Sequence, residues 1–256
     1  MLKYIGKNVN YGVKMIKGIV FDKDGTLLSI PEYWYPVATH ATKLIYSDFG
    51  VPVDDIDTHL ADIGIFPEDV DISRAFPRGY HAGIVESLYK YITAYGKECD
   101  INALVRSFSV SYAAPETKAK GKIVPICDNL RELLVSFKAQ GMILAVITSD
   151  DVPGAKHCLE RLGVADLFDM ILAYDGITPA KPAPDFMEMF RERFSLSKDE
   201  VVMVGDTETD ILFAKNSGVA SVGVGKDAKN RERLASYGAD TVLYDITQIP
   251  DILAKM

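Results

Sequence analysis

The sequence predicts an α/β fold in which a mainly parallel sheet carries helices on both faces and is interrupted by an all-helical insert. From about residue 118 onward, short apolar runs alternate with helix-length segments, the pattern of repeated β-then-α units. Between residues 32 and 117, apolar residues recur at helix spacing and no segment alternates like a strand. We therefore expect a core formed by residues 1–31 and 118–256, and a helical cap domain at 32–117.

The individual elements follow from the same patterns. In the core, buried strands are predicted at 19–21, 142–147, 170–173, 201–205, 219–224 and 241–244. Helices are predicted at 128–139, 154–162, 185–194 and 228–236, with a further helix opening at 206–210. The cap shows helical patterns at 34–45, 84–95 and 101–112, and an acidic stretch at 54–71. Residues 1–17 show little pattern, although apolar residues between Tyr4 and Val13 would suit an edge strand.

Composition excludes several classes of protein. The chain of 256 residues is 48% hydrophobic and 25% charged, which is typical of a globular protein. No apolar run approaches the ~20 residues that span a bilayer, and the N-terminus lacks the apolar segment of a secretory signal. A formal net charge of −8 argues against nucleic acid as a partner. Cys99, Cys127 and Cys158 lack CxxC spacing, so we expect reduced thiols in a cytoplasmic protein.

Two carboxylates follow the first predicted core strand. Asp22 ends the apolar run, Asp24 comes two positions later, and Gly25 then turns the chain. Side chains at i and i+2 of a strand point the same way, so these acids would share one small site. Such a pair is tolerated if a cation lies between the acids or one acid keeps its proton. Either arrangement suits displacement at phosphorus, whereas two solvated acids in a loop remain the alternative for this pair alone.

Further polar residues stand at the carboxyl ends of the other predicted strands, where ligands bind in open α/β sheets. Thr148 and Ser149 follow the second strand, Lys181 follows the third after a longer loop, and Asp206 and Asp210 follow the fourth. Taken singly, they have structural alternatives: a helix N-cap, a solvated lysine and compensation of a helix dipole. Together they would hold a phosphoryl group and a divalent ion, because hydroxyls and an ammonium suit phosphate and carboxylates suit Mg²⁺.

These segments resemble a known family. Phe21-Asp-Lys-Asp-Gly-Thr-Leu27, the strand ending in Thr148-Ser149, Lys181-Pro182 and Gly205-Asp-Thr-Glu-Thr-Asp210 are similar to the four motifs of the haloacid dehalogenase superfamily. The similarity is greatest to members of the phosphoglycolate phosphatase type. The resemblance implies a Rossmann-like core with a helical cap inserted just after the first motif. It also implies Mg²⁺-dependent hydrolysis of a small phosphorylated metabolite, phosphoglycolate-like or a sugar phosphate.

The resemblance further implies residue roles. Asp22 would be the nucleophile that forms an aspartyl-phosphate, and Asp24 would be the general acid and base. The phosphoryl group would contact Gly25, Thr148, Ser149 and Lys181. Mg²⁺ would be held by Asp22, the backbone carbonyl of Asp24 and Asp206, with Asp210 as a ligand or just outside the coordination shell. The chain departs from the pattern after Thr148, because Asn often follows at the place where Ser149 and Asp150 stand here.

The cap carries most of the negative charge, with thirteen Asp and Glu against six Lys and Arg in residues 32–117, which disfavours a polyanionic substrate. Within it, the segment 73–81 contains Arg74 and Arg78. We hypothesise that these arginines face the active site and bind the non-phosphate end of the substrate. The alternative is a surface loop whose arginines pair with neighbouring acids. Trp34 is expected to be a packing residue of the first cap helix, with a platform for the substrate as the alternative.

Two other functions fit parts of this pattern. A phosphomutase would use the same aspartate pair but transfer the phosphoryl group to a sugar instead of water. A non-catalytic regulator that binds Mg²⁺ or phosphate would keep the fold without turnover. The identity of the phosphate ester and the oligomeric state, monomer or homodimer, do not follow from the sequence.

Overall fold

A computed structural model of the chain describes residues 15–71, 73–76 and 81–254. The edge strand that residues 4–13 would suit, and Arg78, lie outside the described residues. The strands are β1 (Gly18–Phe21), β2 (Ile143–Asp151), β3 (Met170–Tyr174), β4 (Val201–Gly205), β5 (Ala220–Val224) and β6 (Thr241–Leu243). The α-helices are α1 (Ile30–Asp48), α2 (Ile56–Ile63), α3 (His81–Ala94), α4 (Ile101–Ala113), α5 (Pro115–Lys118), α6 (Leu130–Ala139), α7 (Val152–Arg161), α8 (Asp185–Phe194), α9 (Glu208–Ser217), α10 (Ala228–Ser236) and α11 (Ile249–Leu253).

The six strands form one parallel sheet in the order β3-β2-β1-β4-β5-β6, which confirms the predicted Rossmann-like α/β class. β1 lies between β2 and β4, and Phe21 at its end is in register with Val146 and Val204. After β1 the chain forms β2 and β3 on one edge of that strand, and it later forms β4, β5 and β6 beyond the opposite edge. Ligands bind in open α/β sheets at such a reversal of strand order.

Alternation of side chains along the strands divides the core into two layers. Phe21 and Val146 belong to an apolar cluster on one face, which α6, α7 and α11 cover. Val20 and Ala145 belong to a second cluster on the other face, which α8 and α9 cover. The central strands are buried on both faces, and this explains why their sequences are nearly continuous apolar runs.

β2 is longer than predicted. The apolar run ends at Ile147, but the strand continues to Asp151, which pairs with Tyr174 of β3 after a shift in register. Thr148 and Ser149 therefore lie within the strand and not in a turn beyond it. The sequence could not show this extension, because it depends on hydrogen bonds to a neighbouring strand.

Helices α1 to α5 cover Ile30–Lys118, close to the range predicted as a cap, and α1 to α4 pack around an apolar cluster of their own, which includes Ile45, Leu60, Leu88 and Leu104. We propose that they form the inserted domain at 32–117. Helix α2 was not predicted, because the acidic residues of 54–71 obscure its apolar face. Ile56, Leu60 and Ile63 recur at helix spacing and are buried, so the signal was present.

None of the helices that the structure describes combines the length and apolar character needed to cross a bilayer. The three cysteines are free thiols. Cys158 is buried, whereas Cys99 and Cys127 are partly exposed.

Candidate active site

Three carboxylates and one ammonium meet at the carboxyl end of β1. Oxygen atoms of Asp22, Asp206 and Asp210 lie within 4.8 Å of one another, and all three residues are buried. Lys181 Nζ lies 2.6 Å from Asp22 Oδ1 and 2.6 Å from Asp210 Oδ1. The structure thus brings together the acids and the amine that the sequence placed at three separate strand ends.

This cluster has a surplus of negative charge. With all groups ionised, the three carboxylates exceed the single ammonium by two charges. Burial, together with the neighbouring carboxylates, raises the pKa of Asp22 from 3.8 to about 7 despite Lys181, and the pKa of Asp206 is also raised well above its usual value, first by desolvation and then by Asp22. Buried oxygen donors with two uncompensated negative charges are the environment that a divalent cation such as Mg²⁺ prefers.

The turn after β1 brings the backbone against Asp206. Gly25 has φ +82°, and a Cβ at this position would collide with the Asp206 carboxylate. The next residue, Thr26, is fully buried and donates a hydrogen bond from Oγ1 to Asp206 Oδ1 at 3.2 Å. Gly25 therefore serves the packing of the acid cluster in this structure. The sequence reasoning gave Thr26 no role, although it lies inside the first motif.

The start of α9 fixes the orientation of Asp210. Its Oδ2 accepts hydrogen bonds from the Thr207 backbone N–H at 3.1 Å and from Thr207 Oγ1 at 2.7 Å, which forms a capping box. Its Oδ1 accepts from Lys181. Because both oxygens already have donors, Asp210 positions Lys181 in this arrangement, in addition to its place in the acid cluster. Desolvation opposes the charge on Lys181, but the carboxylates of Asp210 and Asp22 outweigh it and raise the pKa of this amine.

The second acid of the pair, Asp24, belongs to a different network. Its Oδ1 accepts hydrogen bonds from Lys23 Nζ at 2.7 Å and from Trp34 Nε1 at 2.7 Å. Lys23 is fully buried and also lies 3.2 Å from Asp150 Oδ2. Lys118 Nζ donates to Asp150 Oδ1 at 2.8 Å and lies 4.3 Å from the centre of the Trp34 ring. Asp24 is thereby joined to the first cap helix and to the segment that leads out of the cap.

Pairing of opposite charges within this network offsets the free-energy cost of burying the charged groups. Desolvation opposes the charge on Lys23, but Asp24 and Asp150 outweigh it and raise the pKa of the amine well above its usual value. Desolvation likewise opposes the charge on Asp150, yet Lys23 and Lys118 hold its pKa below the usual range. Asp150, which belongs to the segment that departs from the family pattern after Thr148, is thus part of a buried ion-pair network.

Four residues of this network were missed from the sequence as functional: Lys23, Trp34, Lys118 and Asp150. Trp34 does pack as expected, with edge-on contacts to Tyr33 and Phe76, but it also binds Asp24. Lys23 alone offered a local signal, since it stands between the two acids of the motif. The other contacts join distant parts of the chain.

A cavity of about 270 Å³ lies between the core and the cap. Its core side is formed by Asp22, Asp24, Thr148, Ser149 and Lys181, all of which were predicted site residues. Thr148 is buried, and its Oγ1 accepts a hydrogen bond from the Asp150 backbone N–H at 3.2 Å. The cap side of the cavity includes Trp34 and Phe76. The cavity therefore lies between the carboxylate pair and the helical insert.

The structure does not place Arg74 on this cavity. Its side chain is 53% exposed and its guanidinium lies 3.8 Å from Asp62 and 3.7 Å from Asp71. The expectation that Arg74 faces the active site is thus not met, because nearby carboxylates of the cap hold the side chain at the surface. Arg78 lies outside the described residues. From the same segment, Phe76 and His81 line the cavity instead.

Comparison with known proteins gives consistent results. A family model described as haloacid dehalogenase-like hydrolase matches residues 16–218. A phosphoglycolate phosphatase from Vibrio parahaemolyticus is 27% identical over 240 residues, covering 93% of this chain and 96% of that protein. The pyrophosphatase PpaX from Halalkalibacterium halodurans is 30% identical over 132 residues, 52% of this chain and 61% of that protein. The crystal structure of a predicted phosphoglycolate phosphatase from Haemophilus somnus has a TM-score of 0.71 at 23% identity, covering 93% of this chain and 97% of that one.

Proposed function

This chain belongs to the haloacid dehalogenase-like hydrolases, as a phosphoric monoester hydrolase, and we propose that it uses Mg²⁺ to hydrolyse a small phosphorylated metabolite through an aspartyl-phosphate. The observation that carries the proposal is the position of Asp22. This carboxylate lines the cavity, accepts a hydrogen bond from Lys181, and belongs to a buried cluster in which the carboxylates, when ionised, exceed the ammonium by two charges. Relatives with different substrates in their names share the family, so the family alone does not fix the ester.

In the first step, a carboxylate oxygen of Asp22 would attack phosphorus as the bond from phosphorus to the leaving oxygen breaks. Lys181 neutralises charge on both the nucleophile and the phosphoryl group, since its Nζ lies 2.6 Å from Asp22. Asp24 would donate its proton to the leaving oxygen and release an alcohol. Thr148 and Ser149 would bind phosphoryl oxygens from the side of β2.

In the second step, Asp24 would take a proton from a water molecule whose oxygen attacks the phosphorus of the aspartyl-phosphate. The bond between phosphorus and Asp22 then breaks, inorganic phosphate leaves, and Asp22 is regenerated as a carboxylate. Asp24 regains the proton that it needs for the next turnover. One side chain thus acts as acid and then as base, and its fixed position beside Lys23 and Trp34 supports both roles.

The residues present fit a divalent cation. Asp22 and Asp206, with the backbone carbonyl of Asp24, would hold Mg²⁺, and Asp210 would orient Lys181 beside it. When bound, the ion would neutralise the carboxylates and phosphoryl oxygens so that an anionic nucleophile can approach an anionic ester. Thr26 and Gly25 hold Asp206 in place for this purpose.

Phosphate release from para-nitrophenyl phosphate tests the proposal. We expect turnover that requires Mg²⁺, stops with a chelator, and is lost in Asp22→Asn. The matched control is Asp166→Asn, which alters an exposed acid that is paired with Arg131 and does not line the cavity, and it should keep full activity. Turnover that persists in Asp22→Asn would refute the mechanism, and absence of turnover on any ester would favour the non-catalytic regulator.

The phosphomutase alternative needs a separate measurement, because it shares the Asp22 and Asp24 chemistry. Incubation with a sugar 1-phosphate should yield inorganic phosphate and free sugar if water is the acceptor. Formation of an isomeric sugar phosphate would show transfer to a second hydroxyl.

We place the enzyme in the cytoplasm, which the three unpaired cysteines support.

A further inference from the structure

The cap side of the cavity differs in chemistry from the core side. Carboxylates, hydroxyls and an amine form the core side, where the phosphoryl group would bind. Opposite them the lining is mostly apolar and aromatic, with Ile30, Trp34, Phe76, Ile84, Phe108, Tyr112 and Ala113 and with Tyr174 from the end of β3, while His81, Ser109 and Lys118 are its polar members. A pocket that separates a charged end from an apolar end orients a ligand with the same division.

The aromatic rings contact one another in an unbroken series around the cavity. Trp34 packs edge-on against Phe76 with 5.5 Å between the ring centroids. The centroid distance is 6.2 Å from Phe76 to Tyr112 and 4.7 Å from Tyr112 to Phe108. His81 continues the series, 5.7 Å from Phe108 and 6.4 Å from Tyr174. Faces and edges of such rings favour another ring, inserted in an offset or edge-on arrangement.

Among the described lining residues, the lysines are already paired. Lys118 lies 2.8 Å from Asp150 and 3.3 Å from Asp151, and Lys181 is shared by Asp22 and Asp210. His81 is an exposed residue, yet burial of its ring lowers the pKa from its ordinary value of 6.5, so it carries little charge near pH 7. On the described cap side, a carboxylate such as that of phosphoglycolate would meet apolar rings and lysines that already have carboxylate partners.

We infer that the substrate is a phosphate monoester of an uncharged alcohol that carries a single aromatic ring. This inference rests on the proposed function and specifies its leaving group. The phosphoryl group would lie at Asp22 and Lys181, and the ring would lie between Trp34, Phe76 and Phe108. The cavity of about 270 Å³ is just below the ordinary range of ligand pockets, which favours one ring over a nucleotide or a disaccharide.

Three esters test which group the cavity binds. They can be compared directly because each releases a primary alcohol. Benzyl phosphate carries the ring, ethyl phosphate lacks it, and phosphoglycolate replaces it with a carboxylate. We expect kcat/KM for benzyl phosphate to exceed the other two values by at least about tenfold, since burial of one ring on binding corresponds to a change of that order or larger. A preference for phosphoglycolate or ethyl phosphate would overturn the inference and leave the phosphatase assignment intact. If none of the three is hydrolysed, the inference fails, and the para-nitrophenyl phosphate assay decides whether the proposed function fails with it.

Variants of α4 locate the ring. Phe108→Ala should reduce the ratio of kcat/KM for benzyl phosphate to that for ethyl phosphate by about tenfold. Phe108 is largely buried in the cap, so Phe108→Leu serves as a second variant that retains most of the packing volume and should also reduce the ratio. The control is Val105→Ala on the same helix, at an exposed position, where the ratio should not change. An unchanged ratio in a folded Phe108→Leu protein would refute the placement of the ring.

Discussion

The indole N–H of Trp34 donates a hydrogen bond to Asp24 Oδ1 over 2.7 Å, and this bond joins the first cap helix to the second acid of the site. The same oxygen accepts from Lys23 at 2.7 Å. Two donors thus fix one oxygen of Asp24, and one of them comes from the inserted domain. The orientation of the proposed general acid therefore depends on where the cap lies.

Loss of the Trp34 donor should impair protonation of the leaving group. We expect Trp34→Phe to lower kcat for ethyl phosphate about tenfold or more, within the range that general acid catalysis contributes. The loss should be smaller for para-nitrophenyl phosphate, whose leaving group needs little protonation. Steady-state kinetics on both esters measures the difference.

Tyr35→Phe is the control for this variant. It lies on the same helix and loses only an exposed hydrogen bond to Asp57, so kinetics should be unchanged. Equal losses of kcat on both esters in Trp34→Phe would contradict a role of the indole in protonation of the leaving group.

The buried Lys23 should make a large contribution to stability. Lys23→Met leaves Asp24 and Asp150 facing each other without the shared cation, and removal of one partner from a buried ion pair costs about 3–5 kcal/mol. In Lys23→Met/Asp150→Asn one of the facing charges is gone, so part of this loss should return. Urea unfolding at pH 7 gives the free energies of the three proteins.

Lys17→Met supplies the comparison at the surface. Lys17 is 60% exposed and pairs with Glu200, so its removal should cost less than about 1 kcal/mol. If Lys23→Met costs no more than Lys17→Met, the network does not stabilise the fold.

Alanine substitution of two glycines with similar φ angles distinguishes the effect of backbone strain from that of a steric collision. Gly25 has φ +82° and Gly141 has φ +78°, so alanine at either position costs about 1–2 kcal/mol of backbone strain. Only at Gly25 would the new Cβ also collide with Asp206. We expect Gly25→Ala to lower kcat/KM by about 100-fold through displacement of that ligand, and Gly141→Ala to keep near-normal activity.

Calorimetric titration with Mg²⁺ adds a readout independent of turnover. Binding should weaken in Gly25→Ala and persist in Gly141→Ala. Equal Mg²⁺ affinities in the two variants would contradict the role of Gly25 at the acid cluster.

Stabilisation by Mg²⁺ should grow with pH. The pKa of Asp22 in the folded protein is about 7, against 3.8 when unperturbed, so the folded state binds its proton more tightly. Without metal, this group reduces stability progressively as pH rises from about 4 to about 7. A bound cation favours the ionised carboxylate and removes that loss.

The thermal melting temperature should therefore rise more with Mg²⁺ at pH 8 than at pH 5.5. With Mg²⁺ at 100 times Kd, the expected stabilisation of about 2.7 kcal/mol at pH 8 corresponds to a rise of about 5–10 °C. NaCl at matched ionic strength controls for screening. Equal Mg²⁺ shifts at both pH values would argue against metal binding at Asp22.

The sequence by itself determined the sheet and the charged side of the site. Apolar runs predicted the strands, and the rule that parallel strands end at one edge predicted that Asp22, Lys181, Asp206 and Asp210 meet. These inferences succeed because they rest on local periodicity and on the order of strands. Even the capping pair of Thr207 and Asp210 follows from a spacing of three residues.

Only the tertiary structure decided the contacts across the junction between core and cap. Nothing in the local pattern shows that Trp34 reaches Asp24 or that Lys118 reaches Asp150, since long side chains select partners by the packing of distant helices. For the same reason Arg74 pairs with Asp62 and Asp71 while rings of α1 and α4 line the cavity. The chemistry at phosphorus is encoded at the strand ends, whereas the environment of the leaving group exists only once the cap has folded over them.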